Sequence, residues 1–201
     1  MDPFAPSPVK TVAVDVYTAA YRVSGQTATR FGRVADIVNQ LSSTHMIVDQ
    51  ATVSEYAHPA GTMSAPQALV TLDEILFVVV DSEDEGSARP EMRIPKRPVR
   101  AQVALPPFQL AGVVHVPPGS RPVDGLLNAG DRFLPMTEVT VACAAHPELR
   151  RTATAAAMQR SLAHVIVVKD DERPEELLAD VLDEQTAERW LKPGDSEEDS
   201  P

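Results

Sequence analysis

The sequence predicts an α+β fold, mainly β, in which two related small β-rich domains stand in tandem and a C-terminal amphipathic helix follows. Three observations predict it. Stretches rich in Val and Thr recur between turn residues, and aromatic residues make up only 4%, so any core is built from Val, Leu, Ile and Ala. Short motifs of the first half also return in the same order in the second, at a shift of about 88 residues.

Residues 1–9 read as a flexible, proline-rich arm, and residues 10–80 as the first domain. Within it, residues 11–17 (TVAVDVY) and 21–29 (YRVSGQTAT) read as two strands of a hairpin. In residues 33–41 (RVADIVNQL), Val34, Ile37, Val38 and Leu41 have the spacing that gathers apolar side chains on one face of a short helix. Residues 45–54 (HMIVDQATVS) follow as a strand, 56–66 as a loop with His, Pro and Gly, and 68–80 as one or two strands ending in the run ILFVVV. A run of that kind is buried on both faces or lies against a partner.

Residues 81–98 open acidic, close basic and carry several prolines, as a linker does. The second domain, residues 99–169, begins with a strand over 100–109 interrupted at Pro106 and Pro107, followed by another over 110–116 (LAGVVHV). The phrase GSRPVDGLLNAGDRFLPMTEVTV, residues 119–141, then reads as a turn, a short helix, a second turn and a strand. Asp124 is expected at the helix N-cap with Arg121 beside it, and Asn128 with Gly130 is expected to supply left-handed geometry at the other end. Residues 148–160 are compatible with a helix or with an extended loop leading to 161–168, which read as a strand. Within residues 170–192, the stretch 174–191 begins with Pro174, Glu175 and Glu176 and carries a stripe of Leu177, Leu178, Val181 and Leu182, which predicts the amphipathic helix. Residues 193–201 complete the chain as a disordered acidic tail.

The repeat aligns YRVSG at 21–25 with FQLAG at 108–112, and Arg33, Asp36 and Asn39 with Arg121, Asp124 and Asn128. It also aligns QATV at 50–53 with EVTV at 138–141, and FVVV at 77–80 with VIVV at 165–168. Domains of about 70 residues bury little core alone, so the two are expected to pack together through the apolar strands that end each copy.

Composition narrows the function. A net charge of -11 repels phosphates and anionic lipid, which argues against nucleic acid and membrane partners. One cysteine, Cys143, fits a reducing compartment, and with no signal-like segment a cytoplasmic location is expected. Cys143 and His146 have a spacing open to metal ligation, but a structural zinc site needs four ligands and there is no second Cys. Neither a phosphate-binding Gly-rich loop, nor HExxH, nor GxSxG occurs, so the expectation is a non-enzyme without catalytic residues, metal or cofactor. A nucleophilic Cys143 with a spatially assembled His is the enzyme reading.

At RPVDGLLN, residues 121–128, and RFLPMTEVTV, residues 132–141, the second half resembles a small bacterial domain family of unknown function marked by an Arg-x-x-Asp-x-Leu-Asn helix and a Phe-Leu-Pro strand. In the first half HMIVD, residues 45–49, replaces that strand signature. The resemblance implies a fold and carries over no catalytic residue. The function expected is an interaction or regulatory module with a protein partner, or a homodimer. The alternative is a small-molecule sensor with a pocket between the repeats. Arg33, Asp36, Asn39, Arg121, Asp124 and Asn128 are the candidate ligand- or partner-binding residues in either case.

Overall fold

The computed structural model describes residues 8–81 and 96–169. Most of the expected arm and linker, the C-terminal helix over 170–192 and the acidic tail lie outside the described residues. The first half runs β1 (Lys10–Tyr17), β2 (Tyr21–Thr29), α1 (Val34–Asn39), β3 (His45–Glu55), β4 (Met63–Thr71), a 3-10 turn (Leu72–Glu74) and β5 (Phe77–Val80). The second runs β6 (Arg97–Leu105), β7 (Phe108–Val116), α2 (Pro122–Leu127), β8 (Phe133–Cys143), a 3-10 turn (Pro147–Leu149), β9 (Arg151–Gln159), a 3-10 turn (Arg160–Leu162) and β10 (Val165–Lys169).

All ten strands form one antiparallel sheet in the order β10-β6-β7-β8-β9-β5-β1-β2-β3-β4. Each half supplies five neighbouring strands in the same internal order. The spacing between counterparts is nearly constant: Val34 and Pro122 open the helices, His45 and Phe133 the third strands, Met63 and Arg151 the fourth, Phe77 and Val165 the fifth, 88 residues apart each time. The two halves meet where β5 pairs with β9, Phe77 opposite Met158 and Val80 opposite Ala155. The expected contact through both closing strands is thus met by β5 alone, since β10 pairs with β6 and ends the sheet.

The seam explains why ILFVVV is apolar without alternation. All four residues of β5 are buried. Phe77 and Val79 join the core of the second half with Val103, Leu110 and Val141, whereas Val78 and Val80 join that of the first half with Val14, Val16 and Met46. On β9, Ala156 and Met158 likewise face one core, and Ala155 and Ala157 the other. Burying a side chain of this size contributes about 2 kcal/mol, against about 0–1 kcal/mol for a surface ion pair such as Arg132–Asp73 across the same seam. Hydrophobic burial at β5 therefore dominates the joint.

Each half contains the same irregularity. The β2–β3 register shifts between Ser24 and Gln26, and the β7–β8 register between Ala111 and Val113. The extra residues on the long strands, Gln50 and Glu138, take φ of 51° and 53°. Opposite them lie Gly25 and Gly112, where an added Cβ would stand 2.5 Å from the Asp49 carbonyl oxygen and 2.8 Å from that of Thr137. Glycine is required there because the bulged strand crosses so close, and the bulge bends the strand.

Local expectations are corrected in several places. Pro106 and Pro107 form the turn between β6 and β7 instead of interrupting one strand. The end of the expected loop, from Met63, belongs to β4, and residues 151–159 are strand because they pair with β8 and β5. Arg121, not Asp124, is the N-cap residue of α2, since Pro122 fixes the helix start one turn earlier; Asn128 has φ of -88° and is not left-handed. The constant spacing also pairs Asn39 with Leu127 and Gln40 with Asn128, a shift of one from the sequence alignment. Among the described residues no helix is long and apolar enough to cross a membrane.

Candidate functional site

The densest polar constellation sits on the seam. The β1–β2 hairpin places Asp15 opposite Ser24, with Arg22 opposite Tyr17 two pairs along. Arg22 grips the Asp15 carboxylate with Nε at 3.1 Å from Oδ1 and Nη2 at 3.0 Å from Oδ2, and Ser24 Oγ donates to Oδ1 at 2.5 Å. From the start of β9, Arg151 reaches across the seam to Asp15 and to Asp81, and its Nη1 donates to the Tyr17 hydroxyl at 3.5 Å. Two guanidinium groups thus face two carboxylates. Burial pushes the Asp15 carboxyl up, but the Ser24 hydroxyl and the charges of Arg22 and Arg151 pull it down further, leaving it below its ordinary value. Burial likewise disfavours charge on Arg151, and Tyr17 and Asp15 more than offset it.

An aromatic cluster lies beside these charges. Tyr17 stacks on Phe77 with ring centroids 4.5 Å apart, and Phe108 stands edge-on to Tyr17, Phe77 and Tyr56. The Tyr56 hydroxyl donates to the Tyr21 carbonyl oxygen at 2.6 Å. Burial, followed by the proximity of Tyr17 and Cys143, pushes that hydroxyl well above its ordinary range. The rings couple β1, β5 and β7, and so tie the two halves together on the same side as Arg151.

Cys143 is buried within this core, and burial pushes its thiol up, which disfavours the thiolate a nucleophile needs. His146 lies 3.3 Å from Glu148 and faces the Tyr56 ring with centroids 5.8 Å apart. Among the described residues no group of three or more His, Cys, Asp or Glu is placed to hold a metal.

The six residues singled out from sequence do not form one site. Arg121 and Asp124 pair within α2, Nε to Oδ2 at 2.8 Å, on the exposed surface. Arg33 is the N-cap residue of α1 and Asp36 lies in its first turn. Asn39 acts across the seam: its Nδ2 donates to the Phe133 carbonyl oxygen and its Oδ1 accepts from the Phe133 N–H, both at 2.8 Å, so the amide imitates a neighbouring strand. Asn128 ends α2, whose last carbonyls receive the Arg160 guanidinium, with Nη1 3.1 Å from the Leu126 oxygen. No hydrogen bond or ion pair joins Arg33 or Asp36 to Arg121 or Asp124 among the described residues. A cleft of about 250 Å³ beside α1, lined among others by Val9, Phe31, Ile37 and Leu41, lies wholly within the first half.

Sequence reasoning did not single out Asp15, Arg22 and Arg151. The available signal was a lone carboxylate inside TVAVDVY with an Arg soon after the turn; the third partner arrives from 136 positions away and leaves no local trace. No family model matches the chain, and neither a curated protein nor a solved structure gives a match.

Proposed function

We propose that this protein is a non-enzymatic interaction module, built from two divergent copies of one small β-rich domain and working in the cytoplasm. The observation that carries the reading is the distribution of exposed apolar side chains. Ile47 and Leu69 are direct neighbours across β3 and β4 at one end of the sheet, and Val123, Leu127 and Val165 lie on α2 and β10 of the outer half. Leu69 is 67% exposed and Leu127 71%. Exposed apolar residues on the strands that end a sheet, and on a helix of the outer half, mark surfaces that other polypeptides cover.

The Asp15–Arg151 cluster supports the same reading from the other side. Its charges are satisfied by one another and brace the seam, so its work is structural. Photocrosslinking in the protein's own cells tests the proposal, with the reactive side chain placed at Leu69, at Leu127, and at exposed Ala145 as a control. Discrete protein adducts at Leu69 or Leu127 and none at Ala145 are expected. No adduct at either edge, or equal labelling at all three positions, would overturn it.

A further inference from the structure

Among the described residues β4 and β10 are the strands paired on one side only, and they are not arbitrary strands. At the seam β9 meets β5, and the repeat makes β4 the counterpart of β9 and β10 the counterpart of β5. The surfaces left open at the two ends of the sheet are therefore the halves of a joint that the chain already makes once inside itself. Within one copy β4 and β10 stand at opposite ends of the strand order.

We propose that a second copy of this chain lays its β10 and α2 on the β4 and β3 of the first, repeating between molecules the joint that β5 and α1 make with β9 and β8 within one. This rests on the interaction reading and names its partner. Side-chain correspondence supports it. Phe77 is fully buried at the seam and its counterpart Val165 is 44% exposed; Ala157 is fully buried and its counterpart Leu69 is open. Ala35 on α1 is buried against the seam, while its counterpart Val123 on α2 is 53% exposed. Asn39 clips Phe133, and Leu127 occupies its place on α2. The apolar face of α2 would thus cover the Ile47–Leu69 pair as α1 packs on β8 and β9, with Ala157 in the same core as Val34, Ala35 and Val38.

No described strand pairs with the outer side of β4 where the joint would form. The β5–β9 ladder uses Ala155 to Met158, the counterparts of Gln67 to Val70. Pro66, which has no N–H to donate, corresponds to Thr154 and falls just outside it. Charge separates the two joints. Arg151, Asp15 and Asp81 have Met63, Gln102 and Lys169 as counterparts, so the outer joint has no equivalent of the carboxylate–guanidinium pairs of the inner one. A foreign β10 that displaced β5 would bring Lys169 toward Arg151, and that repulsion keeps the inner joint intramolecular.

Because the joined surfaces differ, the contact is heterologous: every copy retains one edge of each kind until a ring closes or a filament grows. The test is sedimentation equilibrium of the full chain with two variants, Leu69→Glu and Leu127→Glu, at side chains already exposed and with folding checked by melting temperature. Wild type is expected at multiples of 21.7 kDa, each variant alone at that single mass, and an equal mixture of the two as a heterodimer, since each contributes the face the other has lost. A monomeric wild type at its highest soluble concentration, variants that assemble like wild type, or a mixture that stays monomeric would each overturn the proposal. Crosslinking at Leu69 to a different protein, beside a monomeric pure chain, would remove this partner and leave the interaction reading standing.

Discussion

A carboxylate in the middle of a valine-rich strand persists only if its charge is matched, and Asp15 is matched by Arg22, Ser24 and Arg151 together. Replacing Asp15 by Asn leaves two guanidinium groups short of a partner and is expected to cost about 2 kcal/mol, read as a lower midpoint in urea. The same group sets an acid limit. Its folded pKa lies below 3.8, so its contribution is complete above the unfolded value and is lost as pH falls through the folded one. In Asp15→Asn the loss of stability below pH ~4 should flatten; an unchanged acid limb would show that other carboxylates control it. His115 acts in the same direction at higher pH. Burial, then Lys96 and Arg33 nearby, hold its imidazole below 6.5 while it bonds Thr137 at 2.9 Å, so stability falls as pH drops from 6.5 through its folded pKa. His115→Gln should remove that slope from a series of melting curves. At this scale Asn39, chosen from sequence as a binding residue beside Arg33 and Asp36, turns out to clip the Phe133 backbone. Its side chain was visible in the sequence, but its partner was not, because 94 positions separate them.

At the scale of elements, the two bulges give the sharpest expectations. Gly25→Ala or Gly112→Ala drives a methyl group into a carbonyl oxygen and should destabilise by about 2–3 kcal/mol. Gln50→Gly or Glu138→Gly relieves a left-handed residue and should be neutral or stabilise by up to about 1 kcal/mol; opposite signs at paired positions would identify the bulge as the cause. The hairpin strand 21–29 and both short helices were legible because their apolar spacing and turn residues act locally. The start of β4 and all of β9 were not. Their Ala, Thr, Ser and Pro carry little periodic signal, and pairing with distant strands decides their conformation. At the start of α2 the fixed φ of Pro122 outweighs the cap preference of Asp124.

For the whole molecule, the shift of about 88 residues read from short motifs reappears as the spacing between equivalent strands, helices and bulges. What the motifs withheld is that both halves lie in a single sheet, since β5 and β9 recognise each other by burial on two faces and not by any shared phrase. The unequal exposure of counterparts such as Phe77 and Val165 then becomes a statement about assembly. Net charge of -11 opposes close approach of copies, so association should strengthen as salt rises, which a salt series of sedimentation runs checks.

The most direct test of the repeated joint is its register. Val78 lies opposite Ala157 at the inner seam, which predicts Ile166 of one copy opposite Leu69 of the next. Mixing Leu69→Cys with Ile166→Cys under mild oxidation should give a covalent dimer, while Leu69→Cys with Val168→Cys, two residues out of register, should give little. Equal crosslinking in both mixtures, or none in the first, would contradict the account.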